Sequence, residues 1–87
     1  MRIIADIPHT TYKITLMHWN ERYFIKFEYV GTELIFKFRE GPLMENEEDL
    51  LAFMDEAFMQ DVDRIYLDIL ESRQNAIDRQ ENRIYGP

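Results

Sequence analysis

The stretch that decides the fold is residues 12–39, YKITLMHWNERYFIKFEYVGTELIFKFR. Its apolar residues alternate. Tyr12, Ile14 and Leu16 share one parity, then Tyr23, Ile25, Phe27 and Tyr29, then Leu34, Phe36 and Phe38. A period of two marks half-buried strands, and β-branched and aromatic residues suit the pleat. Strands are expected near 12–18, 22–30 and 33–39, joined as an antiparallel three-stranded β-meander.

The hairpins test this reading. A two-residue loop at Asn20-Glu21 sets Trp19 opposite Arg22, His18 opposite Tyr23, Leu16 opposite Ile25, Ile14 opposite Phe27 and Tyr12 opposite Tyr29. A second loop at Gly31-Thr32 sets Tyr29 opposite Leu34, Phe27 opposite Phe36 and Ile25 opposite Phe38. Both put one apolar set on one face, which a one-residue slip would scatter. Gly31 at the first loop position suits a type II′ turn. Asn20 accepts positive φ more readily than Glu21, so the first turn is a candidate for a bulge. Upstream, Ile3, Ile4 and Ile7 add a short fourth strand at the edge or plug one end of the core.

After Gly41-Pro42 the period changes. Asn46 can cap a helix, with Glu47, Glu48 and Asp49 in its first turn. Leu50, Leu51, Phe53, Met54, Ala57, Phe58, Val62, Ile65, Ile69 and Leu70 recur at spacings of three and four, which predicts one amphipathic helix over about 46–72. Beyond Ser72 the pattern thins to a polar tail, 73–87, helical or frayed, in which Leu70, Ile77 and Ile84 still repeat at seven. The fold class is α+β: one domain over 1–87, a meander at about 10–40 with one long C-terminal helix packed on the Ile14/Ile25/Phe27/Phe36/Phe38 face.

Composition bounds the function. The chain has 87 residues, no cysteine and a net charge of −7. The charge is uneven: residues 1–41 hold six Lys/Arg against five Asp/Glu, +1, and residues 42–87 hold four against twelve, −8. The acidic half repels nucleic acid and anionic membrane. Lack of cysteine fits a reducing compartment. The N-terminal apolar run is broken by Asp6 and Pro8, and no stretch reaches the ~20 apolar residues of a membrane span. The expected setting is cytoplasmic, away from membranes. An acidic, short chain without disulfides gains core burial most simply by oligomerising.

No motif carries chemistry. His9 lies in a turn and His18 at a strand end, without the paired spacing of a zinc site. The acidic residues lack the EF-hand pattern. Ser72 is the lone serine, and glycines at 31, 41 and 86 cannot build a phosphate loop or dinucleotide fingerprint. The expectation is a protein without catalytic residues, metal or cofactor.

The other sheet face is more informative. Lys13, Thr15, Met17 and Trp19, then Phe24, Lys26, Glu28 and Val30, then Glu33, Ile35, Lys37 and Arg39 share its parity. Lys13 falls opposite Glu28, Met17 opposite Phe24, and Lys26 opposite Lys37. Trp19, Met17 and Phe24 form an apolar spot beside Arg22 and Arg39, which one helix cannot cover while it also seals the core. Three readings are open. One is an interface for a second copy or another protein, with Met17, Trp19, Phe24 and Ile35 at the sheet and Leu70, Ile77 and Ile84 on the helix as candidate contacts. Another is single-stranded nucleic acid, with Trp19 and Phe24 stacking bases and Lys13, Arg22, Lys26, Lys37 and Arg39 holding phosphates. The third is an ordinary mixed solvent face. The first leads to a self-associating interaction module, a homodimer, as the expected function.

The stretch His9–Leu16, with Trp19-Asn20 and Tyr23–Glu28, resembles a group of short uncharacterised bacterial proteins. That resemblance implies a β-meander followed by a helix and no activity. More loosely, Tyr12–Leu16, Asn20–Lys26 and the trailing helix look like a PUR-type repeat, a sheet-then-helix module that binds single-stranded nucleic acid. The match departs from that pattern in having one strand fewer, sparse basic residues and an acidic helix, and no functional residue carries over from it.

Overall fold

The computed structural model describes residues 2–86. The chain falls into two compact units, one up to Met54 and one from Asp55 onward. The first is a four-stranded antiparallel sheet in the order β1-β2-β3-β4, with β1 Arg2–Ile7, β2 Lys13–Trp19, β3 Arg22–Tyr29 and β4 Thr32–Arg39, followed by a short helix α1, Glu47–Phe53. The second is one long helix, α2, Glu56–Tyr85. The architecture is α+β, and the N-terminal isoleucines do form a fourth strand.

The first hairpin has the expected register throughout, from Trp19 opposite Arg22 to Lys13 opposite Glu28. Asn20 and Glu21 have φ of 52° and 61°. Positive φ at both central residues is the type I′ turn whose twist matches that of the strands, so no bulge is needed.

The second hairpin departs from expectation. Its loop is Val30-Gly31, not Gly31-Thr32, and Tyr29 pairs with Thr32. The register therefore slides by two: Phe27 faces Leu34, Ile25 faces Phe36 and Tyr23 faces Phe38. A shift of two preserves side-chain parity, so every apolar residue keeps its face. The turn is again type I′ rather than II′, with φ of 48° at Val30 and 68° at Gly31. Gly31 occupies the second position at no steric cost, while β-branched Val30 is strained there. Thr32 Oγ1 donates to the Tyr29 carbonyl and closes the turn.

On β1 the register skips between Ile3 opposite Met17 and Ala5 opposite Leu16. Ile4 is the extra residue of a bulge, which switches parity along the strand. Ala5 and Ile7 join the apolar face, and Ile3 and Asp6 join the other.

The core of the first unit lies on the expected face. Ile14, Leu16, Ile25 and Phe27 are at most 1% exposed, and Leu50 of α1 is fully buried. Each such side chain stabilises the fold by roughly 1.5–3 kcal/mol relative to leaving it in water. Aromatic rings tie the layer together: Tyr12 and Phe36 meet Phe27 edge-on at 5.7 and 6.1 Å, and Phe38 meets Phe53 of α1 at 4.6 Å.

The single helix expected over 46–72 is two helices. Asn46 caps α1 as anticipated, accepting from the Asp49 N–H at 3.0 Å. Then α1 stops: Met54 leaves helical geometry, and Asp55 starts a new helix by accepting from the Phe58 N–H at 2.8 Å. Asp55 is thus the N-cap of α2. The apolar spacing runs through the break without a gap, which is why periodicity alone reads it as continuous. Residues 73–85, expected to be helical or frayed, are helical to Tyr85.

Candidate functional site

The expected second face assembles. Met17, Trp19, Arg22, Phe24, Lys26, Glu33, Ile35 and Lys37 line a hollow of about 440 Å³ over β2, β3 and β4. The alternating pleat brings these residues to one side. Met17 and Phe24, directly opposite each other, form its floor. Both are 7% exposed, so the expected open apolar spot is in fact sequestered at its centre. Trp19 and Ile35 stand open at the rim, 54% and 42% exposed.

The charges of this face follow from the observed register. Lys37, expected opposite Lys26, lies opposite Phe24, with its ammonium 6.0 Å from the ring centroid, at the outer reach of a cation–π contact. Lys26 is opposite Ile35 and, with Lys13, flanks Glu28: each ammonium is 3.8 Å from a Glu28 carboxylate oxygen. Glu28 is also opposite Glu33, and Arg22 is opposite Arg39. Directly opposed like charges weaken a sheet. Among the described residues, Arg22, Lys37 and Arg39 form no salt bridge. Lys13 lies outside this hollow, in a shallower one over the Val30-Gly31 turn, and Arg39 joins Arg22 beside the Asn20-Glu21 turn. Of the helical candidates, Leu70 and Ile77 are half-buried and Ile84 is 61% exposed.

Neither histidine faces the hollow. His9 Nδ1 accepts the Thr11 and Tyr12 N–H groups at 3.0 and 3.2 Å, organising the turn before β2. His18 contacts Glu40 and lies 4.5 Å from the ring of Tyr23. Tyr23 is a feature that strand parity gives and ionisation chemistry does not. Its phenol is held above the usual tyrosine value of 10.0, first by burial and then by the negative charge of Glu40 and Glu47. Among the described residues, no group of three or more His, Cys, Asp or Glu could hold a metal ion, and no helix is long and apolar enough to cross a membrane.

No family model, curated protein or solved structure matches this chain.

Proposed function

We propose that this chain is a non-enzymatic interaction module that self-associates as a homodimer through the open face of its sheet. One observation carries the reading: an apolar floor of Met17 and Phe24 lies beneath an exposed Trp19 and Ile35. An exposed tryptophan beside an apolar centre, mixed with arginine, is a composition found at protein interfaces. The hollow offers cations and one carboxylate but no nucleophile paired with a base, which supports binding over catalysis. Light scattering behind size-exclusion chromatography tests the proposal. The expected result is a species of twice the 10.6 kDa chain mass at tens of micromolar, and a monomer there overturns it.

A second reading has its own support. Arg22, Lys37 and Arg39 have no ionic partner among the described residues and share a sheet face with an exposed tryptophan. Single-stranded nucleic acid would stack on Trp19 and place phosphates on these cations. Fluorescence anisotropy with labelled oligonucleotides at two salt concentrations tests it. Binding that weakens steeply with salt is expected, and no binding at low salt removes the reading.

A further inference from the structure

The hollow is apolar at its floor and cationic on one side. Arg22 and Arg39 oppose each other across β3 and β4, and Lys37 stands two residues from Arg39 on the same face. An anion between the arginines would relieve their mutual repulsion. The chain as a whole carries −7, so such an anion is available on the protein itself. On α2, Leu67 is 69% exposed. Asp68 follows it, and Glu71 lies one turn further along the same side of the helix. Asp68 and Glu71 are exposed and form no salt bridge among the described residues. A leucine flanked by free carboxylates is the chemical complement of an apolar hollow flanked by free cations.

We infer that the occupant of the sheet face is the α2 helix of a second copy, with Leu67 entering beside Trp19 and with Asp68 and Glu71 meeting Arg22, Lys37 and Arg39. The inference rests on the self-association proposed above and specifies which surfaces meet. Two sheet faces set against each other about a two-fold axis would bring like cations together. A sheet-to-helix contact made twice by the same axis pairs unlike charges. The sizes agree, since a helix of ~10–12 Å diameter matches three strands spaced ~4.8 Å apart.

Two double variants test it, R22E/R39E and D68R/E71R. Dissociation is measured by light scattering and by the emission of Trp19, the only tryptophan, which shifts to the blue when covered. Each variant alone should dimerise about tenfold more weakly than the unaltered chain, and their equimolar mixture should recover its affinity, because both contacts of the mixed dimer then pair opposite charges. Circular dichroism melts verify that the variants fold; should R22E/R39E melt early, K37E on exposed Lys37 carries the same test. If the unaltered chain dimerises and neither variant weakens it, the helix is not the occupant and self-association stands. A monomeric unaltered chain overturns both. Loss of oligonucleotide binding in R22E/R39E with dimerisation unchanged assigns the face to nucleic acid and overturns the helix contact.

Discussion

The two faces of the sheet are built from the same strands by the same alternation, yet they have opposite fates. On the first, Ile14, Leu16, Ile25 and Phe27 are at most 1% exposed. On the second, Met17 and Phe24 sit almost as deep, but Trp19 and Ile35 beside them are open. The first face holds Tyr12, Tyr23, Phe27, Tyr29, Phe36 and Phe38 against Trp19 and Phe24 on the second, and charge divides the faces as well. Between Ile14 and Phe38 the first face carries no Lys, Arg, Asp or Glu, whereas the second interleaves Lys26, Glu28, Glu33 and Lys37 with its apolar residues. Charged side chains are costly to bury unless paired. The second face therefore keeps water at its rim.

The largest expected effect comes from the sealed face. Phe27→Ala removes a fully buried ring that meets Tyr12 and Phe36, and should cost about 3–5 kcal/mol in urea unfolding. A loss below 1 kcal/mol would mean that the first face is not the core. At the edge shared by both faces, Val30→Asn should stabilise by about 1 kcal/mol, because Asn accepts the positive φ that strains valine in a type I′ turn. Its check is an upward shift of the unfolding midpoint with unchanged denaturant slope. A downward shift would show that Val30, 53% exposed, has packing worth more than its strain.

These residues also mark how far the sequence can be read. Parity decides which side chains share a face, and parity survives the two-residue slide of the second hairpin. The slide itself was not legible, because Gly31 fits the first place of a type II′ turn or the second of a type I′ turn, and only the latter forces valine to positive φ. β1 shows no alternation because the bulge at Ile4 changes its parity midway. The break before Asp55 was hidden by continuous apolar spacing, with Asp55 itself the one available signal. The hollow was legible in composition. Its charge pattern was not, because Arg22 meets Arg39, and Lys37 meets Phe24, only in the observed register.

A finer probe of the sealed face is pH. Burial and the neighbouring carboxylates raise the Tyr23 pKa above 10.0. The folded state therefore favours the neutral phenol. Its contribution to stability is fully present below the unfolded value of about 10 and is lost as pH rises from there through the higher folded value. Thermal melts between pH 8 and pH 11 should show stability falling above about pH 10. Tyr23→Phe should shallow that fall. An identical alkaline slope in the variant would assign the loss to other groups.

The smallest effect belongs to the open face and depends on concentration. Trp19 is more than half exposed, so Trp19→Ala removes little burial from a monomer. At submicromolar protein its unfolding free energy should stay within about 0.5 kcal/mol of the unaltered chain, the range of ordinary surface substitutions. A partner that covers Trp19 adds stability by mass action, so the unaltered chain should melt higher as its concentration rises. The variant should lose most of that rise. A cost near that of Phe27→Ala at low concentration would mean that Trp19 is structural and that the two faces are alike. If melting does not depend on concentration in either protein, the rim of the hollow is ordinary solvent surface, and its unpaired arginines serve no second copy of the chain.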